Sequence, residues 1–196
     1  HIYGLDQKTG LEISESKSSV ATKYPVMAAI GQSDNNYTTV ALSRYVTAVA
    51  SGKKYNYQLM DRIVDASGKT VKKYKADYED ISDTLTDSQW DALHSGMRQV
   101  VSTMDRFQGF DIPVAGKTGT AQQTGHANHG LFIGYAPYDD PEITIAVRIA
   151  NGYSSHNAAT AARNVISYYY KETSMKDIKE MKAAGVNGNT RNSVAD

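Results

Sequence analysis

The apolar positions of this chain recur with two distinct periods. Leu42, Tyr45, Val46 and Val49 follow helical spacing, with Thr38 or Thr39 placed to cap the helix and Gly52 placed to end it. Thr86-Asp87-Ser88-Gln89 reads as a capping box, in which the Thr hydroxyl and the Gln amide satisfy each other's orphan backbone donors. Behind it, Trp90, Leu93, Met97, Val100, Val101 and Met104 line one helix face. A third helical stripe runs through Ala158, Ala162, Val165, Ile166, Tyr169 and Tyr170. The second period is two. Ile143, Ile145, Val147 and Ile149 alternate with Thr144, Ala146 and Arg148, which predicts a half-buried strand.

Shorter apolar runs complete the outline. Residues 131–135 predict a buried strand, joined to the alternating one by a hairpin across Pro137 to Glu142. Residues 114–122 predict another strand, followed by a turn over 125–129. Residues 59–65 and 69–74 predict two strands around an Ala66-Ser67-Gly68 turn. The first thirty residues are polar and broken by Gly4, Gly10 and Pro25, which predicts loop and short extended pieces. From Lys176 the chain is charged, and from Gly185 it is rich in Asn, Gly and Ser, so residues 175–196 are expected to form a mobile tail on a folded part spanning 1–174. No internal repeat is visible. The order helix, three antiparallel core strands, helix predicts an α+β fold, an antiparallel sheet flanked by helices.

Composition narrows the chemistry. The 196 residues carry 21 basic and 21 acidic side chains, so no net field draws nucleic acid or an anionic membrane. There is no cysteine, which removes disulfides, Cys-based metal sites and a thiol nucleophile. No apolar run approaches the roughly 20 residues a membrane span requires, and the chain starts at His1 rather than Met, so a longer parent polypeptide with any anchor upstream is expected.

The chemically distinctive stretch is Val114 to Ala121. An apolar lead-in runs into Lys117, Thr118, Gly119 and Thr120. On a strand edge that order presents one positive charge, two hydroxyls and an unobstructed backbone to an anionic, carbonyl-bearing substrate. A phosphate-loop reading of Gly116-Lys117-Thr118 requires a glycine five residues earlier, where Asp111 stands and would repel phosphate. His126 and His129 form an H-x-x-H that with His156 could build a zinc site. A solvated turn with polar tips accounts for them more simply, so no metal is expected.

The Lys-Thr-Gly triplet is one of three motifs of the penicillin-binding proteins and serine β-lactamases. Four further segments extend the likeness. Gly4-Leu5-Asp6-Gln7-Lys8-Thr9-Gly10-Leu11 resembles that group's "FGxGxxTGI" segment. Ala29-Ile30-Gly31-Gln32 followed by Thr38-Thr39-Val40-Ala41-Leu42 resembles "AIGQG…TPLQLA". Gly96-Met97-Arg98-Gln99-Val100-Val101 resembles "GMxxVV", and residues 129–137 resemble "AWFIGYAP". Taken together, from about residue 3 to 170, the chain resembles the C-terminal half of the transpeptidase domain of a class B penicillin-binding protein. Ser33 and Leu131 depart from the pattern, which usually has Gly and Trp there.

The resemblance implies part of the serine β-lactamase/transpeptidase-like fold and no cofactor. It implies a peptidoglycan D,D-transpeptidase that acylates a serine with a stem peptide and passes the acyl group to an amine. Lys117 would face the substrate's terminal carboxylate, and the Thr118 and Thr120 hydroxyls would bond it. Gly119 would clear the strand edge, the Thr120 N–H would serve the oxyanion hole, and Gln122 would lie at the end of the substrate site. The same surface would bind β-lactams. The partner would be the N-terminal half of the same protein, carrying Ser-x-x-Lys and Ser-x-Asn, on the extracytoplasmic face of a bacterial cell membrane. A non-catalytic β-lactam sensor or scaffold is the alternative. A β-lactamase fits less well, because those enzymes usually lack the long segment between Gly52 and Thr86.

Literal copies of the missing motifs occur but lack their context. Ser14-Glu15-Ser16-Lys17 lies in a polar run without a helical stripe, and Ser51-Gly52-Lys53-Lys54 sits at a helix end. The chemistry needs Ser and Lys one turn apart on a buried helix face, so that the lysine is desolvated enough to act as base. Ser33-Asp34-Asn35 and Lys8-Thr9-Gly10 are likewise chance copies in solvated loops. The isolated chain is therefore expected not to acylate. Incubation with a fluorescent penicillin followed by denaturing electrophoresis should leave it unlabelled, and a labelled band would restore Ser14 or Ser51 as a nucleophile.

Overall fold

A computed structural model describes residues 1–180, which fall into two compact units, one spanning His1–Thr84 and the other beginning at Leu85. In the first unit a single-turn helix, α1 (Pro25–Ala28), interrupts the predicted loop region. It is followed by α2 (Thr39–Ser51). The Thr38 hydroxyl accepts from the Ala41 N–H, and Gly52 closes the helix in the left-handed conformation that glycine adopts without penalty. Two ribbons follow. β1 (Lys53–Asn56) pairs antiparallel with β4 (Asp77–Asp80), and between them β2 (Arg62–Val64) pairs with β3 (Thr70–Lys73). The inner hairpin matches the predicted one, though its strands are shorter. The outer pair is new, because Lys53-Lys54-Tyr55-Asn56 carries no apolar alternation.

The organising side chain of this unit is Arg44, 2% exposed. Its guanidinium donates to the carbonyls of Gly4, Gln7 and Lys8, so an otherwise irregular segment is held by one charge inside α2. Glu15 closes the same segment from the other side, accepting from the Thr9 N–H and hydroxyl and from the Gly10 N–H. Thr9 is thus buried at 1% exposure, which corrects the solvated-loop reading of Lys8-Thr9-Gly10. Ser14 and Lys17 do lie at the surface, and the Ser51 hydroxyl donates to the Thr47 carbonyl at 2.7 Å, whereas Ser33-Asp34-Asn35 is half-buried and the Lys54 side chain, 12% exposed, pairs with Glu79 at 2.6 Å.

The second unit opens with α3 (Asp87–Ser102), where the Thr86 N–H donates to the Gln89 side chain at 2.9 Å. A three-stranded antiparallel sheet follows in the order β5 (Ala115–Ala121), β6 (His129–Ala136), β7 (Ile143–Ile149). Then α4 (Ser155–Tyr169) packs across it. The core joins Val101, Met104, Phe107, Val114 and Phe132 to Ala158, Ala159, Ala162 and Ile166. On α4 the predicted stripe holds at Ala158, Ala162 and Ile166, with Tyr170 packed partly against the core, and fails at Val165 and Tyr169. Ala158, Ala159, Ala162 and Ile166 are buried, whereas Val165 and Tyr169 stand about half exposed. Alanines make the buried stripe because α4 lies close to the sheet, leaving no depth for longer side chains. A short helix, α5 (Met175–Glu180), begins the region expected to be a tail; residues 181–196 of that region lie outside the described residues.

Phe132 explains two of the glycines beside it. A Cβ on Gly116 would come within 2.6 Å of the Phe132 ring, and one on Gly134 within 2.8 Å of the ring and 2.7 Å of the Ala115 carbonyl. Gly130 likewise leaves room for the Ser154 carbonyl at the start of α4. Gly134→Ala is expected to destabilise the chain by about 2 kcal/mol through overpacking of a rigid site, read as a lowered urea midpoint. Arg44→Ala is expected to lose about 3 kcal/mol or more by stranding buried carbonyls, measured the same way.

Candidate active site

The edge of β5 is the site the sequence pointed to. β5 pairs only with β6, so its other edge is open among the described residues. Strand alternation turns Lys117 and Gly119 to one face and Thr118 and Thr120 to the other, the latter in register with Phe132 and Gly130. The register is set from within the core. Arg98 of α3 donates to the Val114 carbonyl at 3.1 Å, anchoring the strand's entry. Val114, Ala115 and Gly116 are buried, and Lys117 is the first exposed residue along β5.

At that transition a cleft of about 390 Å³ opens. Lys117 and Thr118 line one wall, Val100, Thr103, Met104 and Asp105 a second, and Ser155 and His156 at the start of α4 a third. The Lys117 ammonium reaches back to the Thr118 carbonyl at 2.9 Å, so it lies along the strand edge. The structure therefore brings Lys117 and Thr118 together at an open cleft. Gly119 follows on the same edge, where a Cβ would meet only Leu131 at ordinary contact distance. Thr120 is half-buried further along, and Gln122 is exposed just beyond the strand; neither lines the cleft.

Ser155 and His156 were not anticipated as cleft residues. His156 had been paired in sequence with His126 and His129, but its Nδ1 lies 3.0 Å from the Ser154 hydroxyl, which also caps α4 by accepting from the His156 N–H. The signal was present in Ser154-Ser155, a helix start immediately before an alanine stripe. It could have found the helix end, but not its approach to β5.

His129 serves the loop that leaves the triplet strand. Its Nδ1 lies 2.9 Å from the Gln123 amide and 3.1 Å from the Asn151 N–H, and its Nε2 lies 2.8 Å from the Arg148 guanidinium. Among the described residues no group of three His, Cys, Asp or Glu side chains is placed to hold a metal ion. Partial burial, and next the adjacent Arg148 charge, hold the imidazole below its ordinary pKa. The folded state thus binds its proton less readily than the unfolded chain, and the stability His129 contributes is full above the ordinary histidine pKa and lost as pH falls through the folded value. The protection factor of the Asn151 amide, its exchange rate normalised to the intrinsic rate at each pH, is expected to fall on acidification from pH 7 to 5. His129→Gln should flatten that dependence.

Comparison with known proteins gives the chain a lineage. Residues 1–167 match the family model described as the penicillin binding protein transpeptidase domain. The chain is similar to the peptidoglycan D,D-transpeptidase MrdA of Haemophilus influenzae, at 27% identity over 208 residues, covering 87% of this chain and 32% of that protein. It is 30% identical over 195 residues to penicillin-binding protein 2B of Streptococcus pneumoniae (strain D39), covering 86% of this chain and 28% of that protein. The solved structure of penicillin-binding protein 2B from strain R6 superposes with a TM-score of 0.76 at 25% identity, covering 89% of this chain and 32% of that one. An imipenem acyl-enzyme complex of penicillin-binding protein A from Mycobacterium tuberculosis shares the fold, with a TM-score of 0.75 at 22% identity over 86% of this chain and 40% of that one. The chain thus spans about a third of the length of the curated relatives it matches.

Proposed function

This chain belongs to the penicillin-binding protein transpeptidase family, class B, and on that premise we propose that it supplies the substrate-gripping strand of a serine peptidoglycan D,D-transpeptidase. The observation that carries the reading is the open β5 edge, where Lys117 and Thr118 line one cleft. A stem peptide laid along that edge places its terminal carboxylate near the Lys117 ammonium and the Thr118 and Thr120 hydroxyls. Gly119 lets its backbone approach. The Thr120 N–H donates to the oxygen that gains charge as the scissile carbonyl is attacked, and Gln122 meets the peptide beyond the strand end.

The reaction proceeds in two steps. A serine oxygen attacks the penultimate D-Ala carbonyl, and terminal D-Ala leaves with the proton. An amine of a neighbouring strand then attacks the ester and frees the serine. β-Lactams, whose ring carbonyl occupies the same place, stop after the first step.

The serine and its lysine come from an N-terminal segment bearing Ser-x-x-Lys and Ser-x-Asn. The outer edge of β7 supports such a partner. Ile143, Ile145, Val147 and Ile149 are only half-buried, and no strand pairs with that edge among the described residues. A free, apolar strand edge invites pairing. No helix among the described residues is long and apolar enough to cross a membrane. On this reading the assembled enzyme works on the extracytoplasmic face of a bacterial membrane, with its anchor in another part of the protein.

In the assembled enzyme Lys117→Ala is expected to slow acylation by fluorescent penicillin by about a hundredfold, the loss typical of one group that stabilises developing charge. An unchanged acylation rate would remove Lys117 from the site.

A further inference from the structure

The hairpin β2–β3 is not used by the site on β5. Every residue from Asp61 to Lys73 is exposed, on both faces of the ribbon. The base is held by the Tyr74 N–H, which donates to the Asp61 carbonyl, and by Glu12, which accepts from the Leu59 N–H at 2.8 Å. Between Asp61 and Lys75 lie five cations and two carboxylates, a net charge of +3 on a chain whose formal net charge is zero. Asp65 is occupied within its own turn, accepting from the Ser67 hydroxyl and N–H and from the Lys69 N–H. Asp61 lies 3.6 Å from Arg62. Among the described residues Lys69, Lys72, Lys73 and Lys75 form no ion pair.

Two features of this ribbon are unfavourable in water. Arg62 stands directly across from Lys73, and like charges in that position repel. Ile63, Val64 and Val71 are 45%, 48% and 67% exposed, with no layer of protein to cover them. A two-stranded ribbon alone is at best marginally stable. No other strand pairs with either outer edge among the described residues, and a register shift between Ile63 and Val64 leaves Val71 without a cross-strand partner of its own.

We propose that β3 is a docking edge for an extended acidic segment of a partner protein, which adds to the ribbon as a third strand. Main-chain hydrogen bonds to β3 supply the pairing. Carboxylates of the segment meet Lys72 on one face and Lys73 on the other, which also relieves the Arg62–Lys73 repulsion, and an apolar side chain covers Val71. A lipid surface fits less well. The tip of the hairpin, Asp65-Ala66-Ser67-Gly68-Lys69, is polar, whereas the apolar side chains lie along the strands.

The test uses the full chain and a blocked peptide of repeating Val-Glu-Glu pattern, with a Val-Lys-Lys peptide, polyglutamate and phosphatidylglycerol vesicles alongside. The Val-Glu-Glu peptide should bind saturably and protect the Val71 amide from hydrogen exchange. Joint substitution Lys72→Glu and Lys73→Glu should weaken binding about tenfold or more, as loss of two facing charges does. Lys73→Glu places an opposite charge across from Arg62 and Lys72→Glu takes the ammonium off the Tyr74 ring, so the fold of the variant is verified by circular dichroism alongside the binding measurement. Val71→Thr, which keeps strand propensity, should weaken binding less and leave the fold intact. No binding, equal binding of the Val-Lys-Lys peptide, equal binding of polyglutamate without amide protection, or capture by vesicles in place of the peptide would each overturn the proposal.

Discussion

The contact between one aromatic ring and two glycines governs the second unit. Phe132 projects from the middle strand onto the face that α4 covers, and Gly116 and Gly134 give its ring the space their own side chains would take. With the ring lying flat, alanines of α4 reach the sheet. That close packing fixes the height of β5 against the helix and therefore where the strand passes from buried to exposed. Lys117 falls at that passage. A larger residue at either glycine would lift β5 or displace the ring, and the edge would move with it.

The site inherits its character from this position. Residues up to Gly116 belong to the core, and the next ones meet a cleft bounded by the end of α3 and the start of α4. A cation, a hydroxyl and an open strand edge thus come together without a dedicated loop. The His129 network then secures the departing chain through Gln123, Asn151 and Arg148. Such placement suits recognition of an extended peptide, since an edge strand offers backbone pairing and side-chain contacts in one surface. The first unit works by a different principle. There a buried guanidinium gathers the carbonyls of an irregular segment, and Glu15 collects its N–H groups, so polar bonding takes the place of an apolar layer.

Strong periodicity was read correctly from the sequence, and weak periodicity was not. α2 carries a stripe, a cap and a stop that act locally and appears where they fall, while α3 starts at its capping box but ends at Ser102, short of Met104, because no stop was legible there. The hairpin β6–β7 was equally legible from its alternation. The outer ribbon β1–β4 was missed because its strands are polar and exposed, so pairing rather than burial defines them. On α4 the stripe was right at Ala158, Ala162 and Ile166 but took in Val165 and Tyr169 in place of Ala159, because they are more apolar, yet the close approach to the sheet selects small residues.

By itself the sequence determined the candidate chemistry of this protein. The order Lys117, Thr118, Gly119, Thr120 on an apolar strand, with flanking segments of one family, marks the stretch on which the proposed grip of a carboxylate-bearing peptide rests. Only the tertiary structure decided which of these residues share a cleft. It joined Ser155 and His156 to Lys117 and Thr118 across almost forty residues of chain, left Gln122 outside, and drew Thr9 under cover through Arg44 and Glu15. The physical reason is range. Caps, turns and alternation act over a few neighbouring residues, whereas a cleft is set by which distant surfaces fit closely enough to exclude water.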